Sequence, residues 1–365
     1  MDHCVQTGWL SNQAYLRQFS QKAIQQRIPL HGSLELTPRC TLRCLHCYLG
    51  SQEEHHRQQA LEMDTAQVCS ILDQVTRAGC LYLLITGGDP LLRRDFPEIY
   101  RHARQNGLLV TVFTNGVLVT DQIVELFQEF PPRLVEITLY GATAATYERI
   151  TGVKGSFERC LAGIRRLQAR NIRLGLKTML LTANRHEFEA IKNMAIQEFG
   201  TRFRFDAVVH ACFNGDSRPV SLRVTPEEAI EKEFSDPDQY RKWQNFLDTF
   251  QQAGPSSDSL YQCGAGLATF HIDAYGHLQP CLMATGYQYN LLEGDFLTGW
   301  RELMPRLRQK KASPAYVCHQ CDKRLLCSLC PPLAQLECGS EEGRPEYMCL
   351  LAGHRTQILK NGRVE

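Results

Sequence analysis

The sequence predicts an α/β fold, a parallel sheet of repeated βα units followed by a small cysteine-rich module. Six short apolar runs alternate with amphipathic helical stretches between residues 33 and 209, the pattern of strands joined by crossover helices. Glycine- and asparagine-bearing turns follow the early runs, at the strand ends where parallel α/β folds place their chemistry. Eight of the sixteen cysteines then crowd into residues 263–349, beyond the last predicted strand.

Residues 1–30 are polar and Gln-rich, with weak helical periodicity over 10–24. A first strand, 33–36, runs into a cysteine loop. A helix over 63–78 precedes the strand 82–86, and a helix over 96–105 leads to the strand 108–113. The next units pair helix 121–130 with strand 134–139, and helix 157–169 with strand 172–180. A last helix, 186–198, leads to strand 202–209. Six strands are too few for a closed eight-stranded barrel. Residues 213–259 shift in composition, with four prolines and room for short helices at 226–234 and 239–252. Residues 269–280 read as a β-hairpin turning near Tyr275-Gly276.

A length of 365 residues suits one large domain and a smaller one. The composition, 43% hydrophobic and 22% charged, is ordinary for a globular protein. A net charge of +1 offers no bulk attraction to nucleic acid or an anionic membrane. No apolar run reaches the length of a spanning helix. The start, Met-Asp-His-Cys-Val-Gln-Thr, has no signal pattern, so the chain reads as cytoplasmic. In that reducing compartment so many cysteines imply metal rather than disulfides. Cys4, Cys69, Cys80, Cys160 and Cys212 are scattered and read as small core or incidental residues.

The organising stretch is Thr37-Pro-Arg-Cys-Thr-Leu-Arg-Cys-Leu-His-Cys-Tyr48, in which Cys40, Cys44 and Cys47 form a Cys-x3-Cys-x2-Cys loop. Three thiolates on so short a loop can cover one face of a metal cluster. Iron–sulfur cubanes take four ligands, so one iron is left for an outside group. Zinc sites more often pair Cys-x2-Cys units that sum to four. His46 reads as a turn residue facing solvent.

The cysteine run, followed by the aromatic Tyr48, resembles the signature of the radical S-adenosylmethionine (SAM) enzymes. The resemblance implies a partial (β/α)6 barrel whose three cysteines hold a [4Fe–4S] cluster with SAM on its fourth iron. It implies reductive cleavage of SAM to a hydrogen-abstracting 5′-deoxyadenosyl radical, fed by a reductant such as flavodoxin or ferredoxin. Tyr48 is expected near the adenine. Thr86-Gly-Gly-Asp-Pro90 resembles the family's Gly-Gly-Glu-Pro motif, which binds the SAM amino group, with Asp89 in place of glutamate. Its pair Gly87-Gly88 lets backbone approach a ligand closely. Asn115 follows the third strand, and Thr138 and Tyr140 resemble positions that meet the SAM ribose or carboxylate. Lys177, polar in an apolar strand, is either a partner of the SAM carboxylate or a solvent-facing edge lysine. Asn184 is a further candidate. Asp206, at the exit of the sixth strand, is the candidate base, and His210 reads as a core histidine.

Cys263, Cys281, the run Cys318-x2-Cys321-x5-Cys327-x2-Cys330, Cys338 and Cys349 resemble the SPASM extension, with its last spacing shortened. That extension carries two auxiliary [4Fe–4S] clusters in radical SAM enzymes that mature peptides and proteins. The resemblance implies a distal cluster on Cys318, Cys321, Cys327 and Cys349. It implies a proximal one on Cys263, Cys281 and Cys330, completed by Cys338 or left open. A zinc ribbon-like site on Cys318–Cys330 is the alternative. The basic run 306–311 reads as a solvated helix end.

The expected organisation is an N-terminal segment 1–30, a radical SAM partial barrel 31–212, a helical bridge 213–259 and a SPASM domain 260–365. The stretch 138–152 looks most like maturases of ribosomally made precursor peptides. These form crosslinks or thioethers, epimerise residues, or excise backbone. Thirty N-terminal residues are too few for a winged-helix leader-binding module, so a separate leader-recognition protein is the expected partner. Neither nucleic acid nor membrane is expected. Formylglycine formation by an anaerobic sulfatase-maturating enzyme is the alternative, although Leu282 stands where those enzymes carry an acid. A pyrroloquinoline quinone-type enzyme and a non-catalytic metal-binding scaffold are the others.

Overall fold

The computed structural model describes residues 11–251 and 258–361. Part of the expected N-terminal segment, and all of Cys4, lies outside them. A first helix, α1 (Asn12–Gln25), precedes six parallel strands. These are β1 (His31–Glu35), β2 (Tyr82–Thr86), β3 (Leu109–Thr114), β4 (Leu134–Thr138), β5 (Leu174–Met179) and β6 (Arg202–Asp206). Between them run α2 (Gln52–Arg57), α3 (Thr65–Arg77), α4 (Phe96–Gln105), α5 (Asp121–Glu129), α6 (Ala144–Thr151), α7 (Ser156–Ala169) and α8 (Phe188–Asn193).

Alternation along the strands separates two faces. Leu83 and Ile85, Val110 and Val112, and Val135 and Ile137 bury themselves under the helices. Ser33, Glu35, Phe113, Glu136, Lys177 and Arg204 take the opposite parity and line the concave face. The helices begin where side chains satisfy free backbone N–H groups. Asp64 and Gln67 form a capping box for α3, and Thr120 and Thr143 cap α5 and α6.

Three local features differ from the sequence expectation. The last helix breaks after Asn193 into a π-helical turn, Met194–Glu198. Strand β6 stops at Asp206, because its Oδ1 accepts the N–H of Val208 at 2.8 Å and turns the chain. The short helices α2 and α6 arise inside stretches read as loop.

The chain then forms α9 (Pro226–Phe234), α10 (Pro237–Gln251), β7 (Thr269–Ile272), β8 (His277–Gln279) and β9 (Tyr289–Asn290). It ends with α11 (Phe296–Arg308), α12 (Pro331–Cys338) and α13 (Glu346–Asn361). Strand β7 pairs in parallel with β1, and β8 and β9 follow antiparallel. One nine-stranded sheet results, in the order β6-β5-β4-β3-β2-β1-β7-β8-β9. The hydrophobic core therefore runs on past residue 260. Phe270, Leu278, Phe296 and Trp300 share it with Val68 and Leu72 of α3. Trp300 Nε1 donates to the carbonyl of Arg27 at 2.8 Å, and Met63 N–H to that of Ala274 at 2.9 Å. A second core, with Phe188, Ile230, Leu333 and Met348, joins α8 and α9 to α12 and α13.

Candidate active site

The cysteine loop leaves β1 and is fixed on three sides. Backbone bonds zip it to the turn after β2: Gly88 N–H donates to Thr37 O at 2.8 Å, and Asp89 N–H to Arg39 O at 2.9 Å. This contact is what requires the glycines. A Cβ on Gly87, whose φ is +140°, would stand 2.2 Å from Thr37 O, and one on Gly88 would stand 2.4 Å from Pro38 O. The close approach expected of this pair toward a ligand is thus made toward the chain's own loop. On the second side, Arg43 and Leu45 donate to the carbonyls of Thr151 and Ile150 at the end of α6. On the third, the buried Gln52 accepts from Cys40 N–H at 2.6 Å and donates to Pro38 O at 3.3 Å.

Cys40, Cys44 and Cys47 lie half-buried and within one another's electrostatic reach. Burial pushes the Cys40 thiol up to about 12 and raises Cys44 and Cys47 as well. Asn115 Nδ2 donates to Cys40 Sγ at 3.4 Å and to Thr41 Oγ1 at 3.2 Å. The Tyr140 hydroxyl bonds to both the Cys44 thiol and Thr138.

His46 corrects the sequence reading. It is buried rather than solvent-facing, set against the Tyr140 ring at 4.9 Å between centroids, and its Nδ1 has no partner among the described residues. Loss of hydration pushes it down to about 4, so the ring is neutral near pH 7. Tyr48 packs on Phe213 at 5.1 Å and on His210 at 5.5 Å. His210 is accordingly half-buried in an aromatic wall beside the loop, not a core histidine.

Asp89 is fully buried and heavily engaged. Its carboxylate accepts from Thr114 Oγ1 at 3.0 Å, Leu91 N–H at 3.0 Å and Asn115 N–H at 3.2 Å. Burial still pushes it up to about 6. It ties the exits of β2 and β3 together. Asn184 does the same for β4 and β5, donating to Tyr140 O at 3.0 Å and Met179 O at 2.9 Å.

Lys177 points into the concave face, 3.4 Å from Glu136 and 3.4 Å from the Phe113 ring centroid. Burial pushes it down to about 8, with Glu136 opposing. Arg204 forks onto the same Glu136 carboxylate. Asp206 is exposed at the open edge of the sheet. Gln52 and Glu136 are not picked out from the sequence, and His46 reads there as facing solvent. The available signal for Glu136 was a charge at concave-face parity within an apolar run.

The C-terminal cysteines separate into two sets by mutual electrostatic influence. Cys318, Cys321, Cys327 and Cys349 form one, and Cys263, Cys281 and Cys330 the other. Six of these line a cavity of about 1380 Å³, walled by Trp243 and Phe246 of α10 and by α13. Burial raises most of these thiols, Cys330 to about 11. Cys338, exposed at the end of α12, lies outside that lining.

Comparison with known proteins decides what the loop belongs to. Residues 34–195 match the family described as the Radical SAM superfamily. This stretch is a radical SAM domain. Two curated relatives share it: an AdoMet-dependent heme synthase of Methanosarcina barkeri, 34% identical over 164 residues (44% of this chain, 46% of that protein), and a PqqA peptide cyclase of Xanthomonas euvesicatoria, 30% identical over 187 residues (51% and 49%). The chain spans about half the length of the curated relatives it matches. Among solved structures, Streptococcus suis SuiB bound to precursor peptide SuiA superposes with a TM-score of 0.66 at 15% identity, covering 96% of this chain and 83% of that one. That likeness is one of fold.

A radical SAM domain implies SAM and a [4Fe–4S] cluster, and the loop fits both. Three soft thiol donors converge in a site screened by His46 and Tyr140, and the unpartnered His46 Nδ1 and the Asn115 amide supply polar groups there. The raised thiols would shed their protons only to a metal's charge. Among the described residues no helix is long and apolar enough to cross a membrane.

Proposed function

We propose that the chain is a cytoplasmic radical SAM peptide maturase with two auxiliary [4Fe–4S] clusters. The observation that carries this reading is the sorting of seven C-terminal cysteines into sets of four and three, six of them lining one large cavity. Among the described residues no three Cys, His, Asp or Glu groups are placed to chelate a single ion. A zinc would need its four thiolates within about 3.8 Å of each other, given Zn–S bonds of about 2.3 Å. Seven cysteines in two sets outnumber the four that one tetrahedral zinc takes.

In this reading Cys40, Cys44 and Cys47 hold the SAM-binding cluster, Cys318, Cys321, Cys327 and Cys349 the distal one, and Cys263, Cys281 and Cys330 the proximal one. Cys338 sits exposed at the end of α12 and belongs to neither set of mutually influencing cysteines, which supports an open fourth position over a Cys338 ligand. When bound, cluster and SAM supply the hydrogen-abstracting radical. The chain's own residues do the rest. Gly87, Gly88, Gln52 and Asp89 set the loop against the sheet, and His46 and Tyr140 exclude water from it. Asn115, Thr138 and Tyr48 frame the SAM pocket. Lys177 offers a cation to a carboxylate, and Asp206 is assigned as the base for any proton the substrate sheds. The domain limits at 31, 213 and 260 are retained as functional units despite the shared core.

A ribosomal precursor peptide is the proposed substrate, delivered by a separate leader-recognition protein, with flavodoxin or ferredoxin as reductant. The peptide named in the SuiB structure and the activity for which the PqqA cyclase is named support that class. Leu282 in place of an acid keeps sulfatase maturation in second place. The test is iron, acid-labile sulfide and zinc per chain after anaerobic purification, with coexpression of any short peptide found encoded beside the gene. About 12 iron, for three cubanes, and a mass change in the peptide are expected. About 4 iron with one zinc, or turnover of a tetrapyrrole instead, would overturn the reading.

A further inference from the structure

The concave face carries a group of buried polar side chains that lack the partners they need. Ser33 and Glu35 reach it from β1, His271 from β7 and Gln279 from β8. His271 is the register partner of both Ser33 and Gln279, which places the three on one face. Glu35 is 6% exposed, His271 1% and Gln279 3%. His271 Nδ1 bonds to Ser33 Oγ at 2.8 Å, but its Nε2 stands 3.9 Å from Glu35 Oε2, beyond hydrogen-bond reach. Gln279 Nε2 turns toward Asp273 Oδ2 at 3.5 Å, and this carboxylate fixes which end of the amide faces inward. The inward Gln279 Oε1 is buried with no partner among the described residues.

The unfilled acceptor of Gln279 is costly to bury and calls for a donor from outside the chain. Across the sheet the buried carboxylate of β4, Glu136, is already satisfied by Arg204 and Lys177. Among the described residues no lysine or arginine pairs with Glu35. Burial, with Asp273 and Glu62 adding to it, pushes its carboxyl up to about 8. Position adds the second half of the argument. Strand β1 leads straight into the cysteine loop, and the charge of Glu35 is felt at both Cys47 and Tyr48. These three side chains therefore sit beside the place where the radical would form, and two of them come from the C-terminal hairpin.

We propose that Glu35, His271 and Gln279 form a substrate subsite at the junction of the radical SAM sheet and the C-terminal hairpin, which takes a hydrogen-bond-donating group such as a peptide amide. The proposal rests on the peptide-modifying reading and adds what anchors the peptide. It also gives the parallel pairing of β7 with β1 a function, since that pairing alone brings His271 and Gln279 to Glu35.

The test uses the anaerobically purified holo-protein with two probes, a blocked triglycine amide and its fully N-methylated counterpart, which keeps the carbonyls and loses the N–H donors. The wild type should bind the first at least tenfold tighter. Q279L and E35L, each checked for folding by thermal melting and iron content, should bring the two affinities together. Equal binding of both probes by the wild type overturns the subsite, as does a folded Q279L that still discriminates. If the wild type discriminates but modifies no peptide, the subsite stands and the maturase reading falls. A modified peptide without discrimination sinks the subsite alone.

Discussion

Replacing Gly87 by alanine should cost the protein its N-terminal cluster before it costs the fold. The new Cβ would lie 2.2 Å from Thr37 O, against an ordinary contact of 3.4 Å or more, so backbone must give by about 1 Å. Because the opposing atom is a carbonyl oxygen, no rotamer change relieves it. Overpacking of this kind costs about 1–3 kcal/mol, and the positive φ of +140° adds about 1–3 kcal/mol for any residue with a Cβ. The expected loss is about 3–4 kcal/mol, read by denaturant unfolding of the metal-free chain. Displaced by that distance, the loop should no longer hold its cluster, so iron should fall by about 4 per chain while the C-terminal sites stay filled. Gly107 supplies the control, since its φ is +82° and a Cβ there meets nothing within 4 Å. G107A should cost only the backbone strain, about 1–2 kcal/mol, and no iron. If G87A matches G107A in both stability and iron, the claim that the glycines serve the loop's own packing is wrong.

Other changes probe the rest of the site. Q52A removes the acceptor of Cys40 N–H and should destabilise by about 1–3 kcal/mol, with slower cluster loading in a reconstitution time course. E136Q leaves Lys177 and Arg204 uncompensated. Arg204 is more than half exposed, so the cost is held to about 2 kcal/mol, and Lys177 should fall below its present value of about 8 in an NMR titration. The folded chain keeps a proton on Glu35 that the unfolded chain sheds between pH 4.5 and about 8, so stability is lost as pH rises across that window. Metal-free E35Q should flatten that decline by at most about 5 kcal/mol at pH 8, measured by urea unfolding at pH 5 and pH 8. C338S should keep every iron, whereas C330S should lose about 4.

Much of the sheet could be read from residue order, because period-two burial and capping are local properties. Strand β2 and helices α4 and α9 fall on their expected limits for that reason. His46 was misplaced because local turn logic cannot see Tyr140, which reaches it from the far end of β4. Asp89 offers a related lesson. A short acid after two glycines looks like a ligand-facing group, yet it is one methylene shorter than the family's glutamate, and its oxygens are taken by Thr114, Asn115 and Leu91. Glu35 and Glu136 carried a signal that was available, a charge at concave-face parity, but in a six-residue run one such residue looks like an edge position until its neighbours across the sheet are known.

The pairing of β7 with β1 was beyond local reading altogether, since it joins residues more than two hundred positions apart. It changes how the two cysteine fields relate. Had the C-terminal module packed as a separate body, its cysteines could have moved relative to the SAM loop, and any electron transfer between the two fields would have depended on docking. Instead the strand that enters the SAM loop is hydrogen-bonded to the strand that leads, through β8, to Cys281. The helix packed behind it, α11, shares a core with α3. A shift of either cysteine field would have to break parallel ladder bonds and open that core. The distance between the SAM-binding loop and the proximal cysteines is thus set by the sheet itself, and a substrate held between them would meet both from a fixed position.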